Sequence, residues 1–122
     1  MVIRQGDVVW VDLPCARGLA PAGRRPGVVL QHDRFNRSRI ESTVVVAITS
    51  RLKYAALPGN VRLRKGEAGL RAPSVVNVTQ IATVSREDVV GEIGRLSRKR
   101  LLEVWDGVLL VLRPAVLEQD LR

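Results

Sequence analysis

Arginine and hydroxyl side chains at the ends of strand-like runs are where this sequence can do chemistry. Arg24-Arg25-Pro26 puts a cation at the entrance to one apolar run, and Thr49-Ser50-Arg51 puts two hydroxyls and a cation at the exit of the next. If these runs pair as antiparallel neighbours, the start of one and the end of the other share a rim, and Arg25 and Thr49 could face one cleft. A guanidinium placed there would stabilise charge developing on an oxyanion, and the hydroxyls would hydrogen-bond the same oxygens. On residue types alone, two exposed rim side chains fit better than an active site. Other mechanisms fail on inventory. His32 is the one histidine, which excludes paired imidazole acid–base catalysis and histidine-based zinc sites. Cys15, the one cysteine, follows Pro14 with no histidine near it in sequence, so a Cys–His nucleophile is unsupported and an internal disulfide is ruled out. No phosphate-cradling glycine motif occurs, and Gly18, Gly23 and Gly27 read as loop glycines. The carboxylates are scattered rather than paired.

Charge narrows the partner. The 122 residues carry 20 lysines and arginines against 12 aspartates and glutamates, a formal net charge of +8. Residues 1–72 hold 13 basic and 5 acidic side chains, while residues 73–122 hold 7 of each, so the whole excess lies in the first part. Seventeen of the 20 bases are arginine, which forks onto phosphate and stacks on bases, so a polyanion is expected, nucleic acid foremost. A chain 46% hydrophobic and 26% charged has the balance of a globular protein. No apolar run approaches the roughly 18–20 residues that span a bilayer, and the start, Met-Val-Ile-Arg-Gln-Gly-Asp, has no signal-peptide pattern. The expectation is a single domain over residues 1–122, cytoplasmic, holding neither metal nor cofactor.

The elements that must position these side chains are mostly short strands. Val8–Leu13 is β-rich and ends at Pro14, and residues 15–24 predict a flexible loop. Pro26–Gln31 predicts a second strand, Asp33–Ser38 one short helical turn, and Ser42–Thr49 a strand buried on both faces. Lys53–Pro58 reads as a loop, and Asn60–Arg64 as a half-exposed strand. Ser74–Val84 is too long and too β-branched for a helix and is expected to bend at its polar centre. Val89–Leu96 predicts one more strand. Ser97 then caps a helix whose Leu101, Leu102, Trp105, Val108, Leu109 and Leu112 recur every three or four residues before Pro114. Six or seven strands and a terminal helix predict a mainly β (α+β) fold, a small curved barrel over about 4–96 with a helix over about 97–113 packed on it. The apolar stripe of that helix is wide enough to leave part for a dimer surface.

Four segments in this order carry a resemblance. Arg4-x-Gly-Asp-Val-x-Trp-Val-Asp-Leu13, Arg24-Arg-Pro-Gly-Val-Val-Leu-Gln-His-Asp33, Val44-Val-Val-Ala-Ile-Thr-Ser50 and Pro73-Ser-Val-Val-Asn-Val-Thr-Gln-Ile-Ala-Thr-Val84 are similar to the MazF/PemK family, with Pro-Gly-Asn-Val and Ser-Val-Val-Asn-Val-Thr nearest its actinobacterial toxins. The resemblance runs from Arg4 to about Leu112. It implies an SH3-like barrel working as a homodimer, and an endoribonuclease toxin of a type II toxin–antitoxin system. Such a toxin cuts single-stranded messenger or ribosomal RNA at a short motif without a metal, leaving 2′,3′-cyclic phosphate and 5′-OH ends. It is blocked by a MazE-like antitoxin and meets DNA only through that partner. The family's catalytic arginine falls on Arg25, and its catalytic threonine or serine on Thr49, with Ser50 beside it. Some members place glutamate or histidine in the first loop, where this chain has Gly18-Leu19-Ala20-Pro21. Others place aspartate at the strand bend, where it has Asn77, Thr79 and Gln80. A carboxylate base is therefore missing from both positions.

RNA contacts are expected from Arg17, Arg24, Arg34, Arg37, Arg51 and Lys53 on phosphates, and from Gln31, Asn36, Asn77, Thr79 and Gln80 on base edges. Phe35 or Tyr54 could stack one base each or anchor their loops, while Trp10 and Trp105 are read as core and His32 as an ordinary strand-end residue. Two other classes fit the same residues. One is a non-catalytic RNA- or DNA-binding barrel. The other is a peptide-binding module, against which the basic half counts.

Overall fold

The computed structural model describes residues 1–13 and 23–116. Six strands form one curled antiparallel sheet: β1 (Asp7–Leu13), β2 (Gly23–Val29), β3 (Ser42–Thr49), β4 (Val61–Leu63), β5 (Ser74–Ser85) and β6 (Val89–Arg95). Their order across the sheet is β4-β5-β3-β2-β1-β6. A one-turn helix α1 (Asp33–Asn36) links β2 to β3, and the terminal helix α2 (Arg98–Leu112) lies against the sheet. Ser97 Oγ caps α2 by accepting the Arg100 N–H at 3.2 Å.

Alternation along the strands divides the apolar side chains between two faces. Val8, Val28, Val46, Ile48, Val76 and Val78 point to the α2 side and meet Val104 and Val108. Val9, Val11, Val29 and Val45 point the other way and meet Ile3, Val84 and Val89 as the sheet curls over them. β3 contributes to both clusters, as expected of a strand buried on both faces. Trp105 packs on the first cluster, whereas Trp10 is not core: it stands across from Gly91, whose missing side chain makes room for it, and is exposed.

One boundary differs from the sequence reading and the expected bend in β5 is present, and both matter for the site. β2 begins at Gly23 rather than Pro26, because Gly23, Arg24 and Arg25 pair with Leu13, Asp12 and Val11 of β1. Gly23 and Gly27 are therefore strand residues rather than loop glycines, and a side chain at Gly27 would stand 3.2 Å from the Val46 carbonyl. The bend in β5 is a large bulge. Val46 pairs with Ile81 and Ile48 with Val76, so Ala47 alone spans Asn77 to Gln80.

Candidate active site at the β2–β3 rim

The β2–β3 ladder runs through Val29↔Val45, Val28↔Val46 and Gly27↔Ala47, and there it stops. Pro26, with no N–H to give, stands at the stop. Two residues beyond that last pair lie Arg25 on β2 and Thr49 on β3, both at positions that strand alternation sets on the face opposite α2. Arg25 pairs there with Val11 of the second apolar cluster, and Thr49 follows the inward-facing Ile48. Arg25 is exposed and Thr49 half-buried. β2 and β3 pair with each other up to Gly27 and Ala47 and then keep only their other partners, β1 and β5, which leaves a rim with a cation on one strand and hydroxyls on the other.

Thr49 is oriented by its own turn. Its Oγ1 accepts the Arg51 N–H at 3.2 Å, which occupies a lone pair and leaves the hydroxyl proton available to an incoming anion. Ser50 and Arg51 beside it are exposed. Arg24 turns away from this pair. Its Nε donates to Asp12 Oδ1 at 3.0 Å and a second nitrogen to Oδ2 at 3.4 Å across the β1–β2 pair, and this contact raises the Arg24 pKa above its ordinary value. Asp12 is the carboxylate facing Arg24 across the ladder, and it is occupied.

The β5 bulge forms the next wall. Thr49 pairs with Val75 and Ile48 with Val76, so Asn77 opens the β5 bulge just past those pairs. Val76 and Val78 both point into the core, which turns Asn77 to the Thr49 face. Asn60, just before β4, sits opposite it: its side-chain N–H groups donate to Tyr54 O at 2.9 Å and Asn77 Oδ1 at 3.2 Å, and its Oδ1 accepts the Val78 N–H at 2.9 Å. Thr79 Oγ1 and Gln80 Nε2 continue the chain at 3.4 Å each. Lys53 Nζ lies 5.5 Å from the Tyr54 ring centre, so one ring face is covered by a cation. Asn60 went unrecognised as a site residue in the sequence, where it reads as the first residue of a strand. The signal was the Pro58-Gly59-Asn60 turn, since turn asparagines commonly bond to backbone.

Several expected RNA contacts lie elsewhere. Gln31, Asn36 and Arg37, with Arg34 and Phe35, sit at the α1 end of the β2–β3 hairpin, six residues of strand or roughly 20 Å from Arg25. Asn36 is buried and spent: it donates to Gln31 O at 2.8 Å and accepts from Gln31 Nε2 and Thr43 Oγ1 at 3.0 Å each. Its role is to fix α1, whose end is further held by Arg86 Nη2, which donates to the Phe35, Asn36 and Ser38 carbonyls. His32 caps α1, its Nδ1 accepting the Arg34 N–H at 2.9 Å. Arg17 and Cys15 lie outside the described residues. Among the described residues no group of three or more His, Cys, Asp or Glu side chains is placed to hold a metal ion.

Residues 4–112 match the family described as PemK-like, MazF-like toxin of type II toxin–antitoxin system. The chain belongs to the MazF/PemK toxin family. Over 112 residues, 92% of this chain and 98% of the relative, it is 39% identical to the endoribonuclease MazF6 of Mycobacterium tuberculosis. It is 33% identical to the endoribonuclease MazF of Staphylococcus saprophyticus over 88% of each chain. Among solved structures, MazF from Deinococcus radiodurans superposes with a TM-score of 0.76 at 25% identity, covering 92% of this chain and 97% of that one. The toxin of the MazE–MazF complex from the same organism shares the fold, with a TM-score of 0.72 at 22% identity over 93% and 97% of the two chains.

Proposed function

We propose that this chain is the toxin of a type II toxin–antitoxin pair and cuts single-stranded RNA by internal attack of a ribose 2′-OH. The observation that supports the reading is that β2–β3 pairing ends at Gly27↔Ala47, two residues from Arg25 on one strand and two from Thr49 on the other. Its support is the family match over residues 4–112 and relatives that carry the name endoribonuclease.

In the proposed step the 2′ oxygen bonds to phosphorus as the P–O5′ bond breaks. The 2′-OH gives up its proton and O5′ takes one up, so the products are a 2′,3′-cyclic phosphate and a 5′-OH. The nucleophile comes from the substrate's own ribose, so the step does not call for a metal-bound hydroxide. Arg25 holds the phosphorane charge; a guanidinium is a fixed donor and a poor base, so its contribution is electrostatic. The Thr49 hydroxyl, with Ser50 beside it, donates to the same phosphate. Arg51, Lys53 and Arg17 hold neighbouring phosphates, while Asn77, Thr79 and Gln80 read bases.

The toxin works as a cytoplasmic homodimer, and its antitoxin lays an acidic segment along the same basic rim. The test is purified protein on single-stranded RNA in EDTA. The expected result is cleavage with those two end groups, reduced by about 100- to 1,000-fold in Arg25→Ala. Wild-type protein that binds RNA and leaves it whole would instead mark a binding barrel.

A further inference from the structure

We infer that Asn60 fixes the Asn77 side-chain amide with its NH2 outward, so that the site reads a keto base, uracil or guanine, beside the scissile phosphate. The inference rests on the nuclease reading for its position and deepens it to a base class. Two backbone groups determine the geometry. The Val78 N–H can only donate, so the atom of Asn60 that meets it at 2.9 Å is oxygen. The Tyr54 carbonyl can only accept, so the atom that meets it at 2.9 Å is the Asn60 nitrogen. An Asn60 amide fixed this way presents its remaining N–H to Asn77, and the Asn77 atom facing it at 3.2 Å must be oxygen. Thr79 Oγ1 donates to that same oxygen at 3.4 Å, which takes its second lone pair.

The Asn77 NH2 group is what remains. It has no hydrogen-bond partner among the described residues. It is also not among their buried unpaired polar atoms, where Arg86 Nε stands alone, so it is open to solvent. It lies two residues along β5 from Val75, the partner of Thr49, which places a donor pair on the same rim as the phosphate that Thr49 and Arg25 would hold. A donor pair favours O4 of uracil or O6 of guanine and meets a like donor in the amino group of cytosine or adenine. Asn60 is then a positioning residue. It touches no base, but it decides which end of Asn77 a base meets.

The experiment uses the full chain and a randomised RNA pool with 2′-fluoro sugars, which internal attack cannot cut, so base preference is read from the bound fraction independently of cleavage. Wild-type protein is expected to enrich uracil or guanine over cytosine or adenine by about 10-fold at one position. Asn60→Asp keeps the acceptor for Val78 and loses both donors. The Asn77 amide then turns its NH2 toward the new carboxylate and its oxygen outward, and the preference moves to cytosine or adenine. Asn77→Asp, which presents oxygen directly, gives the same reversal and serves if Asn60→Asp fails to fold. A wild-type pool without keto enrichment at any position, or a folded Asn60→Asp or Asn77→Asp protein that keeps the wild-type preference, overturns the inference. Keto enrichment and reversal in a protein that leaves ordinary RNA whole uphold it and remove the nuclease reading instead.

Discussion

A single threonine methyl and hydroxyl separate what Thr49 does for the fold from what it does for RNA. Its Oγ1 accepts the Arg51 N–H, and the proton on that oxygen is the part proposed to reach phosphate. Thr49→Ser keeps the hydroxyl and is expected to cut within about threefold of wild type. Thr49→Val keeps the shape and loses the hydroxyl, and is expected to lower kcat by at least about tenfold, roughly 1.4 kcal/mol. Single-turnover cleavage of one short RNA checks both, and equal rates for Val and wild type would remove Thr49 from the chemistry. The placement of Arg25 near the start of β2 and of Thr49 at the end of β3, its antiparallel neighbour, was readable in the sequence because composition marks where strands begin and end. Asn60 was not, because its function depends on which backbone groups a non-local pairing places around it. Gln31 and Asn36 misled for the same reason. An amide in a polar turn looks available for a base, and only the folded chain shows Asn36 buried and the two amides bonded to each other beside α1.

At the scale of elements, the close contact between α2 and the turn before β4 is what the helix needs glycine for. A side chain at Gly107 would come within 2.1 Å of the Gly59 carbonyl oxygen and 2.9 Å of Val78. Alanine in a helix is ordinarily favoured over glycine by about 1 kcal/mol. Here Gly107→Ala is expected to destabilise by about 1–3 kcal/mol, because the helix must lift off β5. Urea unfolding measures it, and a gain in stability would mean that the helix is not seated this closely.

The other end of α2 is held by charge. Arg100 Nε donates to Glu67 Oε2 at 2.6 Å and another of its nitrogens to Glu103 at 2.9 Å. The Arg100 hydrogen bond and the Arg64 N–H hold the Glu67 pKa below the usual carboxylate value despite partial burial. Because the folded pKa lies below the unfolded one, this stabilisation is present above the unfolded value and is lost as pH falls through the folded one. Glu67→Gln should therefore cost about 1.5–3 kcal/mol at neutral pH and almost nothing once wild-type Glu67 is protonated, as read from unfolding curves at pH 7 and in strong acid. Periodicity revealed the helix, its cap and the bend in β5, all of which depend on local sequence. It could not reveal this ion pair or the Gly59–Gly107 contact, which join segments tens of residues apart.

For the molecule as a whole, the apolar surface that α2 leaves uncovered is too large for a lone helix that already has a core to face. Val104, Gly107 and Val108 are buried against the sheet, while Leu102, Leu109, Leu110, Val111 and Leu112 are exposed, Leu112 at 61% and Leu109 at 55%. Exposed apolar side chains grouped at one helix end normally mark a contact surface, and a symmetric pair of helices would cover them with a second copy of the chain. The excess of positive charge in residues 1–72 adds a constraint, since two copies must meet without opposing their basic rims. The end of α2 satisfies it, because from Gly107 to Leu112 the helix carries no charged residue. Leu109→Asp with Leu112→Asp changes only exposed positions, so the monomer's own core is untouched. Sedimentation velocity is expected to show wild-type dimer and variant monomer at the same concentration, with circular dichroism unchanged. Each leucine withdrawn from water in a dimer contributes about 1.5–3 kcal/mol, so losing two per chain on both sides of the symmetry axis is ample to separate the pair. A doubly substituted chain that still sediments as a dimer would move the interface off α2 and leave the wide apolar stripe for the antitoxin to cover.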